Sequence, residues 1–478
     1  MGKLGAFKKY SRKNFNKRKI EERIQDFKEI YIPLEKSDMM EQASRCMSCG
    51  VAFCNWGCPL GNLVPDWNNM VYKENWKKAY KLLNLTNNFP EFTSRLCPAL
   101  CEGACTLGVN RKPISIREIE YTIIEKAFEE GWIKPRPPKV RTNKKVAVIG
   151  SGPTGLAASA ELNSVGHSVT VFEKQDEIGG LLRYGIPDFK LEKHIIDRRV
   201  EIMKQEGIMF KTNTNVVADN EGDELLKDFD AVILTVGSSV PRDLKIENRE
   251  LKGVYFALDY LAQQNKKVSA KEIVTDEINA KDKILVVIGG GDTGSDCVGT
   301  AIRQGAKKVY QLEIMPKPPV DRDETMPWPT YPAILKTTTS HEEGCIRQWS
   351  VGTKKIVGDN GNVKELHCIN LQWDKAEDGR LAMKEIEGSE FVIQVDLIIL
   401  AMGFLHPQQE GLIKNLGLAL DLRGNVDTDE TYMTNINKVF VAGDSRTGQS
   451  LVVKALKEGR TVAKNVDLYL MGETFLKG

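Results

Sequence analysis

Short apolar runs alternate with helix-compatible segments along most of the chain after residue 140. Residues 146–149 and 284–288 are apolar and rich in β-branched side chains, as expected of buried strands. Stretches with apolar residues at helical spacing follow at 156–165 and 295–304. Such alternation is typical of a parallel sheet flanked by helices. The pattern therefore predicts an α/β fold here, with one strand–helix unit occurring twice.

A glycine motif, G-x-G-x-x-G, stands between strand and helix in both units. The first copy consists of Gly150, Gly152 and Gly155, and the second of Gly289, Gly291 and Gly294. In each unit a further predicted strand ends in an acid, Glu173 or Glu313, which follows the first glycine by 23 or 24 residues. This combination is the fingerprint of a Rossmann-like dinucleotide-binding domain. We therefore expect two such domains in one chain.

The first 140 residues follow a different pattern, in which helix-like segments alternate with cysteine-containing loops. A helical repeat at 118–130 ends at Gly131, and the proline-rich stretch 134–139 then predicts an extended connector. We place the first domain boundary there. The predicted domains are an α-helical domain at 1–140, a first dinucleotide domain split between 141–265 and 404–478, and a second dinucleotide domain at 266–403.

Composition narrows the class of protein. Of the 478 residues, 41% are apolar and 28% are charged, which is ordinary for a globular chain of two or three domains. The net charge of +2 favours neither nucleic acid nor a membrane as partner, and the apolar runs are too short to span a bilayer. Because no signal-peptide pattern is present, we expect a cytoplasmic location. A solvated arm is predicted from the basic residues Lys3, Lys8, Lys9, Arg12, Lys13, Lys17, Arg18 and Lys19.

The two fingerprints suggest that one domain binds FAD and the other NAD(P)H. The glycines let a pyrophosphate approach the backbone and a helix N-terminus, and the acid accepts hydrogen bonds from a ribose. FAD is assigned to the first domain because a glycine-rich segment at 179–187 follows Glu173, and because Asp444 after a late strand is suited to the ribitol chain. The predicted FAD residues are Gly150, Gly152, Pro153, Thr154, Gly155, Glu173, Gly180, Leu181, Arg183, Gly237, Gly443, Asp444, Gln449 and Ser450.

The second fingerprint supplies the predicted NAD(P)H residues. These are Gly289, Gly291, Asp292, Thr293, Gly294, Glu313 and Lys317. A carboxylate at Glu313 accepts a 2′-hydroxyl and repels a 2′-phosphate, so NADH is favoured. Lys317 and Arg322 lie just downstream and could support NADPH instead.

Seven of the ten cysteines fall within sixty residues of the helical domain. They are Cys46, Cys49, Cys54, Cys58, Cys97, Cys101 and Cys105. A reducing compartment disfavours disulfides, and zinc sites usually contain paired C-x2-C knuckles or histidines, whereas only Cys46 and Cys49 have that spacing. The x4 and x3 spacings, with a proline after Cys58, favour iron–sulfur ligation. Zinc remains an alternative, and two four-iron clusters would need one ligand beyond the seven cysteines.

These motifs together resemble the small-subunit family of glutamate synthase. The resemblance covers nearly the whole chain and includes the cysteine spacing, both fingerprints, and the segments 179–190 and 441–450. The segment 312–319, with 327–329 and 341–344, is the most specific part. The cysteine and glycine motifs are shared more widely, with dihydropyrimidine dehydrogenase and with electron-bifurcating oxidoreductases.

The resemblance implies two [4Fe–4S] clusters in the helical domain and glutathione-reductase-like FAD and NAD(P)H domains. It assigns Cys46, Cys49, Cys54 and Cys105 to cluster 1, and Cys58, Cys97, Cys101 and Glu120 to cluster 2, with Glu118 and Glu102 as rivals of Glu120. The implied enzyme is an NAD(P)H-dependent oxidoreductase of glutamate biosynthesis. It would pass electrons through FAD and the clusters to a large subunit that makes glutamate from 2-oxoglutarate and glutamine. An oxidoreductase serving ferredoxin, sulfur or a pyrimidine-reducing partner is the alternative. No catalytic side chain is expected, because the cofactors carry out the chemistry.

Overall fold

The structure is a computed structural model that describes residues 2–216, 221–271, 276–375 and 381–478. The N-terminal domain is helical, as predicted. Its elements are α1 (Ala6–Lys9), β1 (Asn16–Lys17), α2 (Ile20–Arg23), β2 (Tyr31–Ile32), α3 (Lys36–Ser44), α4 (Phe53–Gly57), α5 (Val64–Tyr72), α6 (Trp76–Asn84), α7 (Pro90–Leu96), α8 (Leu100–Gly103), a 3₁₀ turn (Thr106–Val109) and α9 (Ile116–Glu129). Helix α6 begins after Asn75, whose side chain accepts a hydrogen bond from the Lys78 N–H, and it buries an apolar stripe against α5 and α9.

The first dinucleotide domain is built on a parallel sheet of five strands. Its elements are β3 (Lys145–Ile149), α10 (Pro153–Ser164), β4 (Ser168–Phe172), α11 (Leu181–Tyr184), α12 (Lys193–Gln205), β5 (Met209–Lys211), α13 (Glu221–Asp228) and β6 (Ala231–Leu234), then α17 (Leu412–Asn415), β16 (Val439–Val441), α18 (Asp444–Thr447) and α19 (Val452–Met471). The strand order is β16-β6-β3-β4-β5, so the C-terminal segment returns to complete this sheet.

The second dinucleotide domain interrupts the first. Its elements are β7 (Val254–Phe256), α14 (Ala257–Val268), β8 (Ile284–Ile288), α15 (Asp292–Arg303), β9 (Lys308–Glu313), α16 (Thr339–Glu343), β10 (Ile346–Trp349), β11 (Val351–Asp359), β12 (Asn362–Lys375), β13 (Leu381–Glu385), β14 (Phe391–Gln394) and β15 (Leu397–Leu400). A parallel sheet has the order β10-β9-β8-β15-β7, and β11 to β14 form a separate antiparallel sheet. Because β7 pairs with β15, residues 254–256 lie in the second sheet although they precede the predicted boundary at 265.

The basic N-terminal segment is only partly solvated, because Lys3, Lys8, Lys9 and Lys19 are exposed as expected whereas Arg12 and Lys17 contact other parts of the chain. Arg12 pairs with Glu102 at 2.7 Å, and Lys17 pairs with Glu342 of the second dinucleotide domain at 2.6 Å. Glu102 of the helical domain and Glu342 of the second dinucleotide domain thus hold two points of the segment. We call residues 12–32 the N-terminal arm. None of the helices in the described ranges combines the length and apolar composition needed to cross a bilayer.

A buried charge cluster fixes the arm to the second dinucleotide domain. The Glu343 carboxylate lies 2.6 Å from Nε of Arg23 on the arm and 2.5 Å from Nη1 of Arg303 on α15. All three side chains are almost completely excluded from water. The Arg303 guanidinium also stacks on the Phe189 ring of the first dinucleotide domain, 3.9 Å from its centroid. Parts of all three domains therefore meet at this cluster.

Candidate functional site

One large cavity, of about 1600 Å³, lies where the three domains meet. Its wall includes Gly152 of the first glycine motif, Asp292 of the second glycine motif, and Cys97 of the helical domain. The carboxyl ends of parallel strands and the helix N-termini after them are the usual place for dinucleotides in such folds. The cavity thus connects both predicted nucleotide sites with one cysteine segment.

The first glycine motif has the backbone shape that a pyrophosphate requires. A Cβ on Gly152 would project into open space, whereas a Cβ on Gly155 would lie 2.1 Å from the Gly150 carbonyl oxygen. Gly152 thus leaves room for a ligand at the start of α10, and Gly155 allows the helix to pack on the strand. The Glu173 carboxylate accepts hydrogen bonds from the backbone N–H and the hydroxyl of Ser151, at 3.1 and 2.6 Å. The residues present fit a dinucleotide such as FAD.

Most of the predicted FAD residues line the cavity. Those on its wall are Gly150, Gly152, Pro153, Thr154, Glu173, Gly180, Leu181, Gly237, Asp444, Gln449 and Ser450. Gly155 and Gly443 lie behind it, in close contact with neighbouring backbone or side-chain atoms. Arg183 does not line the cavity, because its guanidinium pairs with Asp197 and donates to the Ile178 carbonyl. Arg183 therefore links the glycine-rich segment to Ile178 and to Asp197 on α12.

The second glycine motif repeats this geometry. A Cβ on Gly291 would meet no atom within 4 Å, and a Cβ on Gly294 would lie 2.2 Å from the Gly289 carbonyl oxygen. The Glu313 carboxylate accepts hydrogen bonds from the N–H groups of Gly290 at 2.6 Å and Met315 at 2.9 Å. Of the predicted residues, Asp292 and Thr293 line the large cavity, and Gly289, Gly291, Gly294, Glu313 and Lys317 lie outside its wall.

The cations proposed to support NADPH have different positions. Lys317 and Arg347 both lie over the Trp349 ring, 5.2 and 4.8 Å from its centroid, and Trp349 pairs with Glu313 in the register of β10 and β9. Arg322, by contrast, donates to the carbonyls of Met326 and Thr330 at 2.7 and 2.8 Å. Arg347 was missed by sequence reasoning, because only strand pairing places it opposite Gln311, two positions before Glu313.

A buried ion pair joins the two dinucleotide domains beside the cavity. Lys190, from the segment 179–190, bonds to Asp296 on α15, and both residues line the cavity wall. Burial raises the pKa of Asp296 to about 6, and the adjacent Lys190 ammonium opposes this shift. Sequence reasoning missed both residues. In the sequence, Lys190 is marked only as the last residue of the segment 179–190, and Asp296 only as an acid two positions after Gly294.

The predicted cluster 1 cysteines lie together. Cys46, Cys49, Cys54 and Cys105 line one small cavity in the helical domain. All ten cysteines are free thiols. Burial, reinforced by the neighbouring thiols, raises the pKa of Cys54 to about 12. A thiolate at this site therefore requires a strong positive charge nearby, and the iron of a cluster supplies such a charge.

The predicted cluster 2 residues also lie near one another. Cys58 and Glu120 both act to raise the pKa of Cys97, which burial chiefly brings to about 12. Burial also raises the pKa of Cys101, and Cys58 and Glu120 add to this increase. Glu120 is buried, accepts hydrogen bonds from Thr93 Oγ1 at 2.5 Å and Asn87 Nδ2 at 3.0 Å, and has a pKa raised by burial to about 7. The three thiols and the carboxyl group of the predicted second set are thus near enough to affect one another's pKa.

The two rivals of Glu120 are already engaged elsewhere. Glu118 accepts a hydrogen bond from the Phe15 N–H at 3.0 Å, on the side that faces the N-terminal arm. Glu102 lies near Cys101, but it pairs with Arg12 at 2.7 Å and accepts from the Arg117 N–H at 3.1 Å. Glu120 is also hydrogen-bonded, but it is the carboxyl group that helps to raise the pKa of all three thiols of the second set, Cys58, Cys97 and Cys101.

A loop of the second dinucleotide domain covers the cysteine segments. We call residues 319–335 the covering loop, which is closed by a hydrogen bond from the Leu335 N–H to the Pro319 carbonyl at 2.8 Å. Trp328 packs on Phe53 beside Cys54, with ring centroids 4.5 Å apart. The Tyr331 hydroxyl donates to the carbonyl of Pro98, which follows Cys97, at 3.1 Å. The loop therefore reaches segments that carry cysteines of both sets.

Family models match both halves of the chain. The model for dihydropyrimidine dehydrogenase domain II with a 4Fe-4S cluster matches residues 23–132. The model for pyridine nucleotide-disulphide oxidoreductases matches residues 144–459. The structure of Mycobacterium tuberculosis FprA in complex with NADPH has a TM-score of 0.54 at 18% identity, over 71% of this chain and 87% of that chain. This likeness shows the fold of the dinucleotide domains.

Two curated relatives extend over the entire chain. The glutamate synthase [NADPH] small chain of Mycobacterium tuberculosis H37Rv is 47% identical over 100% of this chain and 98% of that protein. Glutamate synthase [NADH] of Schizosaccharomyces pombe is 45% identical over 100% of this chain, which spans only 23% of that longer protein. The chain therefore belongs to the glutamate synthase small-chain family, as an NAD(P)H-dependent oxidoreductase with an N-terminal 4Fe-4S domain.

Proposed function

We propose that the chain is the electron-input subunit of a glutamate synthase. It would oxidise NAD(P)H at the second dinucleotide domain, with FAD in the first, and deliver electrons through two [4Fe–4S] clusters to a larger chain that makes glutamate. The observation that carries the proposal is the large cavity, whose wall combines glycines of the first motif with Asp292 and Thr293 of the second motif and with Cys97. FAD accepts an electron pair from a nicotinamide and can release the electrons singly, which is the chemistry such a cavity needs.

The residues of the chain would bind and orient these groups. Gly152 and Gly291 leave the space for pyrophosphates, and Glu173 and Glu313 are fixed by backbone N–H groups where riboses are expected. The Lys190–Asp296 pair holds the two dinucleotide domains together beside the cavity. We propose Cys46, Cys49, Cys54 and Cys105 as ligands of one cluster, and Cys58, Cys97, Cys101 and Glu120 as ligands of the other.

We further propose that NADH is the preferred donor. The Glu313 carboxylate is held by two N–H groups, so it cannot easily turn away from a 2′-phosphate. Lys317 and Arg347 oppose this preference, because they bring positive charge to the neighbouring strand. The names of the relatives include both donors, so the choice requires a titration.

The test is anaerobic purification followed by counts of iron, acid-labile sulfide and flavin, and by titration with NADH and NADPH. Two four-iron clusters and one FAD predict about eight irons per flavin. Reduced protein is then mixed with the larger chain of a glutamate synthase or with ferredoxin. Oxidation by the larger chain, with glutamate formed from 2-oxoglutarate and glutamine, is the expected result. A colourless zinc protein, or one that reduces only ferredoxin, would contradict the proposal.

A further inference from the structure

The loop that carries Cys46, Cys49 and Cys54 has an unusual surface. From residue 46 to residue 65 the chain contains no Asp, Glu, Lys, Arg or His, although 28% of all residues are charged. Within this stretch Trp56 is 83% exposed and Val51 is 60% exposed. Such exposed side chains contribute little to the hydrophobic core. A solvent-exposed tryptophan is typical of binding surfaces.

This exposed surface lies at the outer end of the cysteine arrangement. Cys97 of the second set lines the large cavity, and Cys46 and Cys49 of the first set are partly exposed, as is Cys101 of the second set. Met47, which is also exposed, lines the same small cavity as the first set. Electrons leaving the dinucleotide domains would therefore reach the surface at residues 46–57. We call Met47, Val51 and Trp56 the cluster-loop face.

The cluster-loop face is held on a rigid support. Trp56 lies on α4, which packs so closely on α8 that a Cβ on Gly57 would be 2.6 Å from the Ala104 Cβ. One turn earlier, α4 is also held by the contact between Phe53 and Trp328. A preorganised apolar surface loses little conformational entropy on binding, which favours a stable interface.

We infer that the cluster-loop face docks the larger chain of glutamate synthase through an apolar, uncharged contact. The inference rests on the proposed function. In the Schizosaccharomyces pombe relative the matching region is only 23% of a longer polypeptide, so it is permanently joined to further domains. Permanent interfaces are apolar and depleted of charge at their centre, whereas transient electron carriers are usually guided by charge. The uncharged stretch 46–65 fits the permanent kind.

The experiment compares the binding of holoprotein variants to the separately purified larger chain, by anaerobic biolayer interferometry. Trp56→Ser and Val51→Ser each remove one exposed apolar side chain, and Phe475→Ser is the matched control because Phe475 is 87% exposed at the opposite end of the sequence. We expect Trp56→Ser to raise Kd by about tenfold or more, and Phe475→Ser to leave it within about twofold. Raising the salt from about 50 to about 500 mM should change the wild-type Kd by less than about threefold.

Two controls separate a docking defect from a damaged cluster. Iron content and NADH-dependent ferricyanide reduction should be unchanged in all three variants, because ferricyanide needs no docking surface. The inference is overturned if both cluster-loop variants bind the larger chain like the wild type, or if salt abolishes binding. A self-association of the wild type that Trp56→Ser removes would overturn it as well. If the wild type itself neither binds the larger chain nor reduces it, the proposed function fails and this inference fails with it.

Discussion

Replacing Glu343 by Gln tests whether the buried charge cluster holds the N-terminal arm on the second dinucleotide domain. The Glu343 carboxylate lies within 2.6 Å of nitrogen atoms on both Arg23 and Arg303, and all three side chains are almost inaccessible to water. The substitution leaves the buried Arg303 guanidinium without its carboxylate partner and leaves Arg23 with only the partly exposed Glu342. Breaking a buried ion pair from one side costs about 3–5 kcal/mol. We expect this loss in the local stability of the contact.

Glu342 provides the matched control, because it is the preceding residue and pairs with the same arm. It contacts Lys17 at 2.6 Å and Arg23 at 3.2 Å, but its side chain is one-third exposed. Exposed pairs of this kind contribute about 0–1 kcal/mol, so Glu342→Gln should have little effect. The two variants differ by one position and by the burial of the carboxylate, which is the property under test.

Hydrogen exchange followed by mass spectrometry measures the effect locally, in peptides from α15 and from the N-terminal arm. A loss of about 3–5 kcal/mol corresponds to about two to four orders of magnitude faster exchange through local opening. In Glu342→Gln the rates should stay within about fivefold of the wild type. Equal protection in Glu343→Gln and wild type would refute the reasoning. So would equal losses in both variants, because burial would then not decide the result.

Three further predictions concern the cofactor sites and pH. Glu120→Ala should lose about four of about eight irons, whereas Glu120→Gln keeps an oxygen ligand and should retain more iron. The measurement is an assay of iron and acid-labile sulfide. Full iron content in the alanine variant would exclude Glu120 as a ligand. Arg347→Ala should weaken NADPH binding about tenfold or more and NADH binding little, in flavin-absorbance titrations. Lys354→Ala, which removes an exposed cation that pairs with Glu385 away from the cavity, is the control. Equal effects of Arg347→Ala on both nucleotides would contradict a role at the 2′-phosphate. Burial lowers the pKa of His341 from 6.5 to about 4, and nearby Arg347 and Lys190 act in the same direction. The neutral ring thus contributes stability that is complete above pH 6.5 and lost as the pH falls towards 4. His341→Gln should therefore flatten the fall of Tm over that range. Parallel Tm profiles of the variant and the wild type against pH would count against this role.

The positions of the two glycine motifs could be predicted because their chemistry is local. A strand, a turn without side chains and a helix are adjacent in sequence, and Glu313 ends β9 as expected while Glu173 directly follows β4. The family resemblance likewise grouped the cysteines into two sets, which the structure brings together around different centres. The identity of each ligand stays a prediction.

Contacts between distant segments could not be predicted in the same way. Arg322 is near Glu313 in sequence, yet the covering loop carries it away to the Met326 and Thr330 carbonyls. Arg347 is far from Glu313 in sequence but lies on the adjacent strand of the sheet. Arg12 and Lys17 of the arm pair with acids more than eighty residues away, Glu102 and Glu342. Such partners depend on tertiary packing, which has no periodic signal in one sequence.

The covering loop and the N-terminal arm cross between domains in opposite directions. The loop leaves the second dinucleotide domain and contacts the helical domain at Phe53 and Pro98, while the arm leaves the helical domain and returns to Glu343. A rotation that freed one contact would have to break the other as well. The second dinucleotide domain is thus held at two points. We expect its orientation without bound nucleotide to be the same as its orientation during turnover. Turnover in this chain should therefore be paced by nucleotide exchange and electron exit, with little contribution from a large swing of one domain.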